Sequence, residues 1–294
     1  MDIVDTLVDL RERVAGWRAA GARIALVPTM GNLHDGHYSL VELARRNADR
    51  VVVSVFVNPT QFGPGEDFER YPRTPQDDQR GLRAAGCDLL FRPGVATMYP
   101  LGVEQAVGMQ VPGLSAVLCG AHRPGHFDGV ATVVTRLFAM VSPDLAVFGR
   151  KDLQQLQLIR HLVTDLSLPL RILDAPTRRE ADGLAMSSRN RYLDPAQRAL
   201  APRIRRCLGE MLAAARAGSA VQAIEAAAMG GLREAGFDPD YAVLRVEARL
   251  AESLWGPARP EQLAQLVALI AARCGGVRLI DNLSMAEHQA AERP

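Results

Sequence analysis

Short, unbroken apolar runs rich in β-branched residues recur through the first 175 residues, each followed by a stretch of helical character. The runs are Ile24 to Val27, Val51 to Val57, Asp88 to Phe91, Leu145 to Phe148 and Leu170 to Leu173. A strand whose residues are apolar without alternation is covered on both faces. Between the runs lie Ser39 to Ala48, Pro75 to Ala85, Val130 to Val141 and Leu153 to Leu166, all suited to crossover helices. The alternation predicts an α/β fold, a doubly wound parallel sheet that binds its ligand at the carboxyl ends of the strands.

After Pro176 the texture changes. A polar, Arg-rich stretch leads into Ala-rich helical sequence from Pro195 to Ala217 and from Val221 to Glu234. The later strand candidates Tyr241 to Val246, Leu266 to Ala271 and Val277 to Ile280 are close enough in sequence for a small, mostly antiparallel sheet. A chain of 294 residues, 48% of them hydrophobic, can fill one full core and a smaller one beside it. The expected division is therefore residues 1–176 and a smaller α+β domain, residues 177–294.

The net charge of +1 is spread along the chain, which leaves no basic surface for nucleic acid and none for an anionic membrane. No apolar run approaches the roughly 20 residues that span a bilayer, and the N-terminus is acidic where a secretory signal is basic. A cytoplasmic protein with small-molecule partners is expected. Cys87, Cys119, Cys207 and Cys274 form no C-x-x-C pair, so they read as reduced thiols and not as a zinc or disulfide framework.

The strongest chemical signal is Val27-Pro28-Thr29-Met30-Gly31-Asn32-Leu33-His34-Asp35-Gly36-His37, which leaves the first strand and enters a helix. His34 and His37, three residues apart, share one face of the first helical turn. Free backbone N–H groups and the helix dipole favour an anion there, and imidazoles add hydrogen bonds to phosphate oxygens. Gly31 and Gly36 let the main chain come close. A second cluster, Asn58-Pro59-Thr60-Gln61-Phe62-Gly63, places amides at a strand end, where they suit hydroxyl and carboxylate groups. The charged segment after it, residues 63–74, reads as a mobile lid or as a solvated loop.

A third cluster, Phe148-Gly149-Arg150-Lys151-Asp152-Leu153-Gln154-Gln155, is again a strand end opening a helix, with Lys151 a point charge suited to phosphate. A fourth, Asp182-Gly183-Leu184-Ala185-Met186-Ser187-Ser188-Arg189-Asn190, is either a triphosphate clamp or a helix cap beside a surface arginine. His122 and His126 flank Pro124 and Gly125, which break the helix that would align them on a metal, so no metal site is expected there.

Taken together the clusters resemble the pantothenate synthetase family of the H-x-G-H nucleotidyltransferase-like superfamily. P-T-M-G-x-L-H-x-G-H, F-V-N-P-x-Q-F, Y-P-R-T, R-P-G-H-F-x-G-V, G-x-K-D-x-Q-Q, D-G-L-A-x-S-S-R-N and the closing Arg278-Leu279-Ile280-Asp281-Asn282 occur in the family's order and spacing. The resemblance implies a Rossmann-type nucleotide- and pantoate-binding domain, a C-terminal lid domain and a homodimer. It places ATP against Met30, Gly31, Asn32, Leu33, His34, Asp35, Gly36, His37, Gly149, Arg150, Lys151, Asp152, Arg178, Met186, Ser187, Ser188 and Arg189. It gives pantoate to Gln61 and Gln155 with Asn58 nearby, and catalysis to His37, His34 and Lys151. Tyr71 matches a position near the site. Arg150 stands where many members carry Glu, and Arg178 where a small apolar residue is usual, so any side-chain role at either position is set apart from the family's.

The implied reaction is the ATP-dependent joining of pantoate to β-alanine through an acyl-adenylate, with Mg²⁺ accompanying ATP as substrate and no tightly bound cofactor. A carboxylate does not accept an amine at neutral pH because oxide is a poor leaving group; adenylation makes AMP the leaving group. A nucleotidyltransferase acting on a substrate phosphate is the nearest rival, but neutral Asn58 and Gln61 fit a hydroxy acid better. A non-catalytic nucleotide sensor would not need His34, His37, Lys151 and Arg189 together.

Overall fold

The computed structural model describes residues 1–291; residues 292–294, the end of the expected second domain, lie outside the described residues. The chain opens with β1 (Asp2–Val4), α1 (Leu7–Ala19), β2 (Ile24–Thr29), α2 (Asp35–Asn47), β3 (Arg50–Val55), α3 (Pro75–Ala85), β4 (Leu89–Phe91) and α4 (Val95–Met98). It continues through α5 (Cys119–His122), α6 (His126–Val141), β5 (Leu145–Gly149), α7 (Leu153–Asp165) and β6 (Arg171–Ala175). The remainder holds α8 (Pro195–Leu200), α9 (Arg203–Arg216), α10 (Val221–Glu234), β7 (Asp238–Val246), α11 (Pro260–Leu263), β8 (Leu266–Cys274), β9 (Val277–Ser284) and α12 (Met285–Ala291).

Two compact units result. The first holds Met1–Ala116, Arg123–Arg150 and Gln155–Arg178; the second holds Val117–His122, Lys151–Gln154 and the chain from Arg179 onward. In the first unit six strands form one parallel sheet in the order β1-β4-β3-β2-β5-β6. Val51, Val52 and Val53 are all buried because helices cover both faces of β3. The strand order reverses where β2 pairs with β5, Ala25 with Leu145 and Leu26 with Ala146. In an open parallel sheet such a reversal parts the connecting loops and leaves a crevice at the carboxyl edge. The H-x-G-H turn leaves β2 at that edge, and Gly149 and Arg150 leave β5 there.

Helix α2 shows what fixes such an element. Leu40, Val41 and Ala44 are buried against the sheet. Burying a Val or Leu contributes roughly 1.5–3 kcal/mol per side chain, against about 1 kcal/mol for an N-cap. Packing therefore holds the helix, and the cap decides where it begins.

In the second unit β7, β8 and β9 form an antiparallel sheet in that order. Leu266, Ala268, Ile270, Ala272 and Cys274 of central β8 pack in one core with Ile204, Leu208, Met211 and Leu212 of α9 and Ile224 and Leu232 of α10. The Ala-rich helical stretch from Pro195 to Ala217 forms α8 and α9, with a break before Arg203, where Pro202 has no N–H to continue the ladder. Two short segments from earlier in the chain, Val117–His122 and Lys151–Gln154, fold into this unit. The Gln154 side chain joins them, accepting from Cys119 N at 3.0 Å and donating to Val117 O at 2.7 Å. All four cysteines are free and buried; burial pushes the Cys87 thiol up to about 12 and Cys207 to about 11, which keeps both protonated and unreactive.

Candidate active site

The turn after β2 is built from two left-handed residues, Gly31 (φ 83°) and Asn32 (φ 51°). A Cβ on Gly31 would press on Val55 Cγ1 at 3.0 Å and Asp78 Oδ2 at 3.1 Å, so glycine is required by both conformation and space. The buried Asp78 carboxylate organises the turn: Asn32 N donates to Oδ2 at 3.0 Å, Leu33 N to Oδ1 at 2.8 Å, and Thr74 Oγ1 to Oδ1 at 3.0 Å.

His34 is the N-cap of α2, and the cap is reciprocal. Gly36 N donates to His34 Nδ1 at 3.1 Å, and His34 N donates to His37 Nδ1 at 3.3 Å. A backbone N–H can only donate, so each Nδ1 carries a lone pair and each neutral ring carries its proton on Nε2. The two ring centroids are 4.1 Å apart. The helix start thus presents paired imidazole donors where its own dipole already favours negative charge.

The amide cluster joins this turn directly. Gln61 Nε2 donates to Met30 Sδ at 2.9 Å, while Gln61 Oε1 accepts from Asn58 Nδ2 at 3.2 Å. Asn58 is buried and its amide is fully committed, with Nδ2 also donating to Gly129 O at 3.1 Å. Helix α6 can come this close only because residue 129 is glycine: a Cβ there would collide with the backbone of Thr60 and Gln61. His126 begins α6 and holds the Gln61 carbonyl through Nδ1 at 2.8 Å, while its Nε2 accepts from Arg123 Nη1 at 2.9 Å. Both ring nitrogens are thereby used, which fits a loop that supports the site. Among the described residues no group of three or more His, Cys, Asp or Glu is placed to hold a metal ion.

The segment 63–74 is anchored in the first unit by Glu66, whose oxygens accept from Arg123 Nε and Nη2 at 2.7 Å each. Burial alone would raise the Glu66 carboxyl, but the Arg123 hydrogen bond and charge outweigh it and hold it below its usual range. Phe62 packs edge-on against Phe68 and Tyr71 at 5.4 and 6.0 Å.

At the end of β5 the Arg150 guanidinium turns to Asp174 of β6, Nη1 to Oδ2 at 2.9 Å, and Arg160 reaches the other oxygen at 2.7 Å. Gln155 lies half-buried in the first turn of α7, and Arg178 is exposed. Lys151 lies in a 3₁₀ turn, Arg150–Asp152, ahead of α7.

In the second unit Lys151 Nζ is 3.7 Å from Asp152 Oδ1, and its carbonyl accepts from Asn282 Nδ2 at 2.8 Å. The loop carrying Met186, Ser187, Ser188 and Arg189 is tied to the same closing motif: Arg179 pairs with buried Asp281 at 2.6 and 3.1 Å and donates to Gly183 O at 3.1 Å. Ser187 caps a 3₁₀ turn over Ser188–Tyr192, its Oγ accepting from Arg189 N at 3.3 Å. Asp78, Tyr99, Gly129, Arg179 and Asp281 were not among the site residues expected from sequence. Nothing local to those positions signals partners that are tens of residues away.

Residues 2–284 match the family described as pantoate-beta-alanine ligase. The chain is 57% identical over 274 residues to the pantothenate synthetase of Stenotrophomonas maltophilia, covering 93% of this chain and 96% of that one. To the pantothenate synthetase of Xylella fastidiosa it is 56% identical over 284 residues, covering 96% and 99%. Among solved structures, the pantothenate synthetase of Thermus thermophilus superposes with a TM-score of 0.87 at 46% identity, covering 97% of this chain and 99% of that one. The pantoate-beta-alanine ligase of Francisella tularensis, solved in complex with beta-gamma ATP and beta-alanine, superposes with a TM-score of 0.80 at 31% identity, covering 97% and 98%.

Proposed function

This chain belongs to the pantoate–β-alanine ligase family, and from that premise we propose that it joins pantoate to β-alanine through a pantoyl-adenylate, converting ATP to AMP and pyrophosphate. The observation that carries the reading is the reciprocal cap of α2. It commits both Nδ1 atoms to the backbone, so His34 and His37 offer their protons at Nε2. The Francisella relative is solved in complex with beta-gamma ATP and beta-alanine, which supports this reading.

In the first step a pantoate carboxylate oxygen attacks the α-phosphorus, the bond from that phosphorus to the bridging oxygen breaks, and pyrophosphate leaves. His34 and His37 donate to the phosphate oxygens as charge moves onto them, and Lys151 adds a point charge. In the second step the β-alanine amine attacks the acyl carbon, AMP leaves with the ester oxygen, and the nitrogen gives up a proton. Mg²⁺ enters with ATP as part of the substrate.

ATP is assigned to Met30, Gly31, Asn32, Leu33, His34, Asp35, Gly36, His37, Gly149 and Arg150 with Arg178 in the first unit. In the second it is assigned to Lys151, Asp152, Met186, Ser187, Ser188 and Arg189. Because the Arg150 guanidinium is engaged by Asp174, its contribution is through the main chain. Gln61 and Gln155 hold pantoate, and Asn58, its amide spent on Gln61 and Gly129, acts through Gln61. Residues 1–176 act as the nucleotide- and pantoate-binding domain, and the C-terminal domain acts as a lid that keeps water from the mixed anhydride. A homodimer in the cytoplasm, with no tightly bound cofactor, completes the proposal on the strength of the resemblance. No helix among the described residues is long and apolar enough to cross a membrane.

The test is a product assay. Incubation with ATP, Mg²⁺, pantoate and β-alanine is expected to yield pantothenate, AMP and pyrophosphate in equal amounts. A dinucleotide product, or ATP binding without turnover, would overturn the proposal.

A further inference from the structure

Tyr99 lies just after α4, outside every sequence motif of the site, and is 2% exposed. Its hydroxyl donates to Asn58 Oδ1 at 2.7 Å, and its ring lies under the Arg136 guanidinium at 4.9 Å. Burial pushes the phenol above its ordinary range, so it remains a donor across the working pH.

What that hydroxyl touches sets the polarity of a substrate contact. The orientation of the Asn58 amide can be read from its two backbone partners. Gly129 O can only accept, so the atom 3.1 Å from it is nitrogen; Thr60 N can only donate, so the atom 3.4 Å from it is oxygen. The second hydrogen of Asn58 Nδ2 points at Gln61, so the Gln61 atom that receives it is Oε1. Gln61 Nε2 is therefore turned the other way, toward Met30 Sδ. A thioether is a weak acceptor that a carboxylate or hydroxyl oxygen readily replaces.

We propose that Tyr99 is a positioning residue for pantoate: through Asn58 it fixes the Gln61 side chain with its nitrogen toward the ligand, making Gln61 a donor to a substrate oxygen. The inference rests on the reading that Gln61 contacts pantoate. Without the Tyr99 hydroxyl the Asn58 oxygen loses its shortest hydrogen bond. Held then only by its longer bonds to Thr60 N, Thr60 Oγ1 and Gly129 O, the amide keeps the same preferred orientation but less firmly, and Gln61 spends part of its time acceptor-outward. A carboxylate ligand binds only the donor-outward state, so its apparent affinity falls with the population of that state.

A double-mutant cycle separates this from a packing role. Tyr99→Phe keeps the ring against Phe56 and under Arg136 and removes only the hydroxyl. It is expected to raise the pantoate KM roughly tenfold, the size of one lost buried hydrogen bond, with the KM for ATP unchanged. In a Gln61→Ala background the same substitution should change the pantoate KM less than twofold, because the group it positions is gone. An equal effect in both backgrounds, or an ATP KM that rises in step, would overturn the proposal. Gln61→Glu supplies a reading that does not depend on how Tyr99→Phe folds. It replaces the outward donor with an acceptor and should weaken pantoate more than Gln61→Ala does; the reverse order contradicts the assigned polarity. If Gln61→Ala leaves the pantoate KM unchanged, the assignment of Gln61 to the substrate fails. If it raises KM while Tyr99→Phe does not, only the positioning role fails.

Discussion

Each histidine of the H-x-G-H turn divides its ring between two tasks, with Nδ1 closing the helix cap and Nε2 carrying the proton that the proposed mechanism uses. The division separates structure from catalysis in a single substitution. In His37→Asn the side-chain oxygen stands near the place of Nδ1 and can still accept from His34 N, but no group replaces Nε2–H. Thermal stability should hold, while kcat falls by roughly 10²–10³, the usual cost of a charge-stabilising donor. An unchanged kcat, measured at saturating substrates, would remove the imidazole from the chemistry. The histidines were legible in the sequence because the helix start and its glycines are local signals. Asp78 was not, since its partners Asn32 and Leu33 lie 46 and 45 positions away and only the folded sheet brings α3 beside the turn.

At the scale of elements, the apolar runs located β2 to β6; β2 to β5 are covered on both faces as expected, whereas β6 lies at the sheet edge with only Ala175 buried, because no strand flanks it on that side. The runs missed β1, three residues long at the sheet edge, and α1, where only Leu10 and Val14 are buried and no apolar stripe forms. The segment 63–74 carries the prediction here. Its anchor is Glu66, whose folded pKa is depressed below the unfolded value of about 4.3. The pair with Arg123 therefore stabilises the segment fully above that value, and the contribution is lost as pH falls through the folded pKa. Opening of residues 63–74, read as amide-exchange rates divided by their intrinsic values at each pH, should accelerate in the wild type as pH is lowered from about 6 to below about 4.3. Glu66→Gln should be fast at both ends of the range. If the variant keeps the wild-type acid response, the carboxylate is not the anchor.

On the scale of the whole molecule, the sheet order sets where chemistry can occur, because the reversal between β2 and β5 is the one place where successive loops part. The sequence indicated two layers of organisation, a parallel sheet and a smaller antiparallel one, and both are present. It did not indicate that Val117–His122 and Lys151–Gln154 fold with the second unit. They are held there by side-chain amides such as Gln154 and Asn282, whose hydrogen bonds have no sequence period. In the proposed reaction a carboxylate is adenylated before the amine takes part. Labelled pyrophosphate should exchange into ATP when pantoate is present and β-alanine is absent, and Lys151→Ala should depress that exchange steeply by removing a charge from the transferring phosphate. Exchange that appears only once β-alanine is added would contradict the account.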